Sequence, residues 1–138
     1  MEQTKRPIAK HELIQLFGKV KQGFTYVCDV EKYGILEKWV LPDDDYDGTQ
    51  SFSGDCEDFA LALRKLIHDQ GHSSRLIICH TEEKELHCVV ATETDKGTYI
   101  LDNRFNSIKT KSELTDLGYS WVKMSDTSYD QCKWFEVL

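Results

Sequence analysis

No stretch of this sequence is apolar for long enough to cross a bilayer, and the polar opening from Met1 to Lys10 holds no apolar core of signal-peptide length. The expected location is therefore the cytoplasm, or a host's cytoplasm if the chain is phage-encoded. Proline is almost missing, 2 residues in 138, and no segment is low in complexity or repeated, which excludes collagen-like, linker-like and disordered classes. Clusters of Lys and Arg are missing too. The 17 basic residues are dispersed and outnumbered by 24 acidic ones, giving a net charge of −7, so neither nucleic acid nor an anionic membrane is an expected partner. There is no CxxC pair. Cys28, Cys56, Cys79, Cys88 and Cys132 form an odd set that suits reduced thiols better than a disulfide framework.

What is present is enough apolar residue, 40% of the chain, to bury one core, and the length suits a single domain over residues 1–138. Ile8, Ala9, Leu13, Leu16, Phe17 and Val20 recur at helical spacing and predict an opening helix from Ile8 to Gln22. A β-like run follows from Phe24 to Val30, then a weaker helical pattern from Glu31 to Leu41, stopped by Pro42, and an acidic loop from Asp43 to Gly54. The clearest element is a helix from Glu57 to Asp69. Phe59, Ala60, Leu63, Leu66 and Ile67 form its apolar face, acids lead, and Arg64, Lys65 and His68 follow, in the order the helix dipole favours. Strand-like runs then span Arg75 to His80, Leu86 to Thr92 and Thr98 to Asp102. A short helix from Ser112 to Leu117 and strands at Tyr119 to Met124 and Cys132 to Val137 complete the chain. The fold class is α+β, N-terminal helices packed on an antiparallel sheet of about four or five strands.

Cys56 stands where the acidic loop meets the strongest helix, in Gly54-Asp55-Cys56-Glu57-Asp58-Phe59-Ala60. Unpaired N–H groups and the positive dipole end at a helix start favour a thiolate. Downstream, a four-residue loop from Glu93 to Lys96 would pair Thr92 with Gly97, Val90 with Tyr99 and His87 with Asp102. Opposed residues share a sheet face, so the carboxylate could orient the imidazole. If the helix of Cys56 packs over that face and Cys56 points to the free nitrogen of His87, then Cys56, His87 and Asp102 form a constellation for acyl transfer through a covalent thioacyl-enzyme. The Cys56 N–H is one candidate oxyanion donor, and Gln50 in the preceding loop is the candidate for a second. Asp55, Glu57 and Asp58 oppose thiolate formation, which requires that they point away, that a cation offsets them, or that the imidazolium pair prevails. Cys79-His80 and His87-Cys88 suggest zinc, but strand alternation sends neighbours to opposite faces and leaves too few ligands on either. The other four cysteines read as packing, and the run Asp43 to Asp47 as solvated loop with a weaker claim on calcium.

The block Gly54 to Ala60, His87 before an apolar strand, and Leu101-Asp102-Asn103 together resemble the bacterial transglutaminase-like cysteine peptidases, a group that includes adhesin-releasing periplasmic proteases. Trp39, Leu41, Pro42, Tyr119 and Trp134 are compatible, so the resemblance runs from about Tyr26 to the C-terminus. It implies a papain-like core with catalytic Cys, His and Asp at Cys56, His87 and Asp102. It also implies calcium held with the help of Asp55 and Glu57, an ion not required for the chemistry itself. The placement of Gln50 before Cys56 is similar to that of the Gln before Cys in papain-like peptidases.

The expected function is a thiol hydrolase cleaving a peptide or isopeptide amide in a protein or peptide substrate. The same three residues would serve a transglutaminase or deamidase. A different class is a non-catalytic binding module that keeps the fold and holds a partner in the acidic cleft.

Overall fold

Leu13, Phe17 and Val20 line one side of a helix, α1 (Lys10–Gly23), and all three are buried. The structure is a computed structural model that describes residues 7–26, 45–127 and 133–136. The helical pattern expected over Glu31 to Leu41 lies outside the described residues, as do Cys28, Trp39, Leu41, Pro42 and Cys132. α1 begins later than its apolar spacing predicts, because Ile8 is drawn into a parallel bridge with Thr94. Directly after α1 comes β1 (Phe24–Tyr26), shorter than the run that predicts it, and it pairs in parallel with β2 (Phe52–Gly54). The sequence reading assigns residues 52–54 to loop; pairing with β1 makes them a strand.

α2 (Cys56–Asp69) follows at once and is the central helix, with Phe59, Ala60, Leu63, Leu66 and Ile67 among its buried residues. Each Leu, Ile or Phe taken fully out of water contributes about 1.5–3 kcal/mol, so this face anchors α2 firmly. Then come β3 (Arg75–His80), β4 (Leu86–Thr94), β5 (Gly97–Leu101), α3 (Lys111–Leu117), β6 (Ser120–Ser125) and β7 (Trp134–Glu136). The five strands form one sheet in the order β5-β4-β3-β6-β7, antiparallel throughout. β3 to β5 are a meander, and the chain returns through α3 to place β6 on the free side of β3.

The two faces of this sheet are covered differently. Leu76, Ile78, Cys88, Val90 and Leu101 pack with the buried residues of α1 and α2. Ile77, Cys79, Val89, Ala91 and Ile100 pack with Leu114 of α3 and Tyr119. Among the described residues, no helix is long and apolar enough to cross a membrane.

One expected register is corrected. Thr94, not Thr92, lies opposite Gly97, and Val90 lies opposite Leu101 rather than Tyr99. The turn is only Asp95-Lys96. Thr94 closes it by accepting from the Lys96 N–H at 2.9 Å and donating to the Gly97 carbonyl at 2.7 Å. The N-terminal segment fastens its tip, with the Asp95 N–H donating to the Ile8 carbonyl and the Lys10 N–H to Asp95 Oδ1. A slip of two residues returns the side chains to their expected faces. Asp102, just past the end of β5, is therefore diagonal to His87 rather than opposite it, still within reach of a long side chain. The face that His87 shares with Cys79, however, packs with α3 and Tyr119, whereas Cys56 packs with the cluster on the α2 face. Contrary to the sequence expectation, α2 does not cover the His87 face.

Candidate active site

The start of α2 is fixed by its own first turn. Asp55 is the N-cap, its Oδ1 accepting from the N–H groups of Glu57 at 3.1 Å and Asp58 at 3.4 Å, while Asp58 Oδ2 accepts from the Asp55 N–H at 2.9 Å. This reciprocal box satisfies helix-end donors that would otherwise lack partners. It also explains Gly54: a Cβ there would run into the Asp58 carboxylate. The Asp55 carbonyl takes the Phe59 N–H, so the Cys56 N–H is the first-turn donor without an acceptor among the described residues.

Cys56 is half-buried, and the backbone amide of Cys88 acts on its sulfur in favour of the thiolate. β5 pairs with β4 only as far as Val90, so β4 runs on unpaired by β5 past Cys88. Burial pushes the Cys56 thiol up to about 12; the Cys88 amide works against the rise, and the charges of Asp55, Glu57 and Asp102 add to it. The acids flanking the sulfur therefore do oppose the thiolate, as their sequence positions suggest.

Next to Cys88 on the same strand is His87, which is buried, 7% exposed. Its Nε2 lies 2.7 Å from Oδ1 of Asp102, which is 1% exposed. A carboxylate only accepts, so the hydrogen in this contact is carried by Nε2. Asp102 also accepts from the Tyr119 hydroxyl at 2.5 Å on Oδ2 and from the Arg104 N–H at 2.9 Å on Oδ1. Burial alone would raise this carboxyl, but the His87 hydrogen bond and charge, the Tyr119 hydroxyl and the Arg104 amide together hold it below the usual range. The Arg104 guanidinium continues the chain of contacts. It donates to the Tyr119 oxygen at 2.8 Å and, through both terminal nitrogens, to the two oxygens of Glu82 at 2.8 and 2.7 Å. That fork holds Glu82 down to about 2.

Sequence reasoning gives no role to Arg104 or Glu82 and none to the Tyr119 hydroxyl. Asp102-Asn103-Arg104 reads as an Asx turn, and the Arg104 N–H to Asp102 bond is of that kind, but nothing in the spacing joins residues 82, 104 and 119. Gln50, the candidate for a second oxyanion donor, lies in the loop before β2. Its side chain is exposed, accepting from the Asp47 N–H at 3.1 Å and donating to the Asp45 carbonyl at 3.0 Å, so its amide is engaged by its own loop. Cys79 lies opposite His87 and Cys88 opposite Ile78, so the two Cys-His pairs divide between the faces as alternation demands. Among the described residues, no group of three or more His, Cys, Asp or Glu side chains is placed to hold a metal ion. Asp55 and Glu57 are carboxylates of the kind calcium takes, but they supply only part of its six to eight oxygens.

The family model for "Bacterial transglutaminase-like cysteine proteinase BTLCP" matches residues 2–138. The fold is similar to that of Legionella pneumophila LapG in its calcium-bound form, with a TM-score of 0.65 and 22% identity over 85% of this chain and 65% of that one. The EGTA-treated form of the same protein gives a TM-score of 0.65 and 20% identity over 94% of this chain and 67% of that one. The chain thus spans just under two thirds of the length of the calcium-bound LapG chain. Among curated proteins, none matches the sequence. The matched family covers almost every residue, and the helices on a five-stranded antiparallel sheet are the LapG-like, transglutaminase-like fold: the chain belongs to the bacterial transglutaminase-like cysteine proteinases.

Proposed function

We propose that this protein is a thiol hydrolase that cleaves a peptide or isopeptide amide, with Cys56 as nucleophile, His87 as general base and then acid, and Asp102 holding the ring. The observation that carries this reading is the buried 2.7 Å contact between His87 and Asp102, one residue along β4 from Cys88, whose backbone amide acts on the Cys56 thiol. With Nε2–H directed at Asp102, Nδ1 takes the thiol proton as Sγ adds to the carbonyl carbon. The developing oxyanion is met by the Cys56 N–H at the positive end of α2. The imidazolium returns its proton to the leaving nitrogen as the C–N bond breaks, leaving a thioester. Water then gives a proton to Nδ1 and adds to the thioester. The C–S bond breaks, and the sulfur recovers its proton. An amine in place of water would make the same machinery a transglutaminase, and a glutamine side chain as substrate would make it a deamidase.

Calcium fits this site in donor chemistry. Asp55 and Glu57 flank the sulfur, and Asp55 uses only Oδ1 in capping the helix. We assign these two carboxylates as this chain's ligands to the ion. When bound, calcium supplies positive charge beside a thiol that burial and three carboxylates hold protonated. Millimolar calcium should raise the melting temperature of the wild type, and Asp55→Asn with Glu57→Gln, which keeps a capping oxygen, should abolish the rise. No rise in the wild type would remove calcium from the account.

The nucleophile is tested by alkylation. Limiting iodoacetamide at neutral pH should label Cys56 ahead of Cys28, Cys79, Cys88 and Cys132, and Cys56→Ala should abolish both the fast label and any amide cleavage. Equal, slow labelling of all five thiols would instead favour a non-catalytic binding module.

A further inference from the structure

Asp102 is held by more than the imidazole it faces. His87 reaches it from β4, the Arg104 N–H from the loop after β5, and the Tyr119 hydroxyl from the residue before β6. Cys79 of β3 and Cys56 of α2 lie within its electrostatic reach. Behind Tyr119 stands Arg104, and behind Arg104 stand Glu82, in a two-pronged pair, and Glu83 at 4.0 Å. Each partner takes a defined place on the carboxylate. Oδ1 faces His87 and the Arg104 N–H, and Oδ2 faces Tyr119.

We propose that Tyr119, Arg104 and Glu82 are positioning residues that lock the plane of the Asp102 carboxylate and thereby hold His87 in the Nε2–H tautomer. The proposal rests on the Cys56-His87-Asp102 reading and adds a structural cause to it. A carboxylate bonded through one oxygen alone can turn about its terminal side-chain bond, a soft, roughly two-fold torsion, and then either imidazole nitrogen can carry the proton. Tyr119 removes that freedom by holding the second oxygen. Its hydroxyl can donate to Asp102 only if its own oxygen is oriented, and the Arg104 guanidinium, donating to that oxygen, does this. Glu82 in turn fixes the planar fork of Arg104, which a lysine's single ammonium could not reproduce. The ring geometry agrees: His87 and Tyr119 meet edge to face, with centroids 6.3 Å apart. Tyr119 is therefore packed beside the imidazole as well as bonded to its partner.

The test has two readouts on the full chain at one neutral pH: the His87 tautomer, from ring ¹⁵N shifts, and the rate of Cys56 alkylation by iodoacetamide. Tyr119→Phe, which keeps the buried ring, should lower the Nε2–H population and slow alkylation about tenfold to a hundredfold, the loss expected for one hydrogen bond to a charged group. Arg104→Lys, at a more exposed position, should change both in the same direction by less, and it stands in should Tyr119→Phe fail to fold. His87→Ala distinguishes loss of the base from loss of its positioning. If His87→Ala reacts as fast as wild type, the catalytic reading has failed. If His87→Ala is slow while folded Tyr119→Phe keeps the wild-type tautomer and rate, only the positioning role is overturned.

Discussion

The sulfur end of the site and the imidazole end are assembled in different ways. Around Cys56 the polar framework is local: Asp55 and Asp58 cap the helix and Gly54 makes room for them. Around His87 the partners come from far along the chain, from residues 102, 104 and 119, with Glu82 behind them. Locality sets what each half does to its charge. In the local half burial, with the flanking acids adding to it, raises the thiol, whereas the distant half gathers donors around a carboxylate and lowers it. The chain thus combines a sulfur that resists ionisation with a carboxylate that is held ionised.

The largest effect should come from removing the charge of the distant half. Asp102→Asn should slow Cys56-dependent amide cleavage about a thousandfold or more, since an amide there favours the wrong tautomer. Its α2 cap should be intact, so a loss of stability comparable to the loss of rate would show that the halves are not separately built. Gly54→Ala attacks the local half. By displacing the Asp58 carboxylate from the cap it should cost about 1–3 kcal/mol in urea denaturation, and an unchanged midpoint would contradict the tight box.

A smaller effect is expected in acid. A carboxyl depressed by folding stabilises the fold above its unfolded pKa of about 4 and loses that contribution as pH falls through the folded value. Asp102 is depressed. Urea midpoints should therefore drop more steeply from about pH 5 to pH 3 in the wild type than in Asp102→Asn. Parallel profiles would mean that Asp102 is not the group responsible. The smallest effect is assigned to Gln50→Ala. Its amide is occupied by its own loop, so the rate should change less than about threefold, against about a hundredfold or more for a true oxyanion donor.

The same contrast explains what could be read from the sequence. The helix of Cys56, the five strands of the main sheet and the shared face of His87 and Asp102 follow from periodicity, turn residues and acid-before-base order, all short-range signals. The register of β4 with β5 differs by two residues from the one the turn residues predict, because Thr94 and the bridge from Ile8 extend the hairpin, and Ile8 is remote in sequence. β2 was hidden for a similar reason: Phe52 to Gly54 become a strand only through parallel pairing with β1. The Arg104–Glu82 fork and the Tyr119 hydroxyl bond exist only after the sheet has formed, when β6 lies beside β3, and no local pattern announces them.

The most direct test of the central claim, that two separately built halves act as one site, is the rate of Cys56 alkylation in His87→Ala. The account predicts a fall of about a hundredfold or more relative to wild type at neutral pH, because a thiol raised to about 12 loses the base that takes its proton. A folded His87→Ala protein whose Cys56 reacts at the wild-type rate would contradict it.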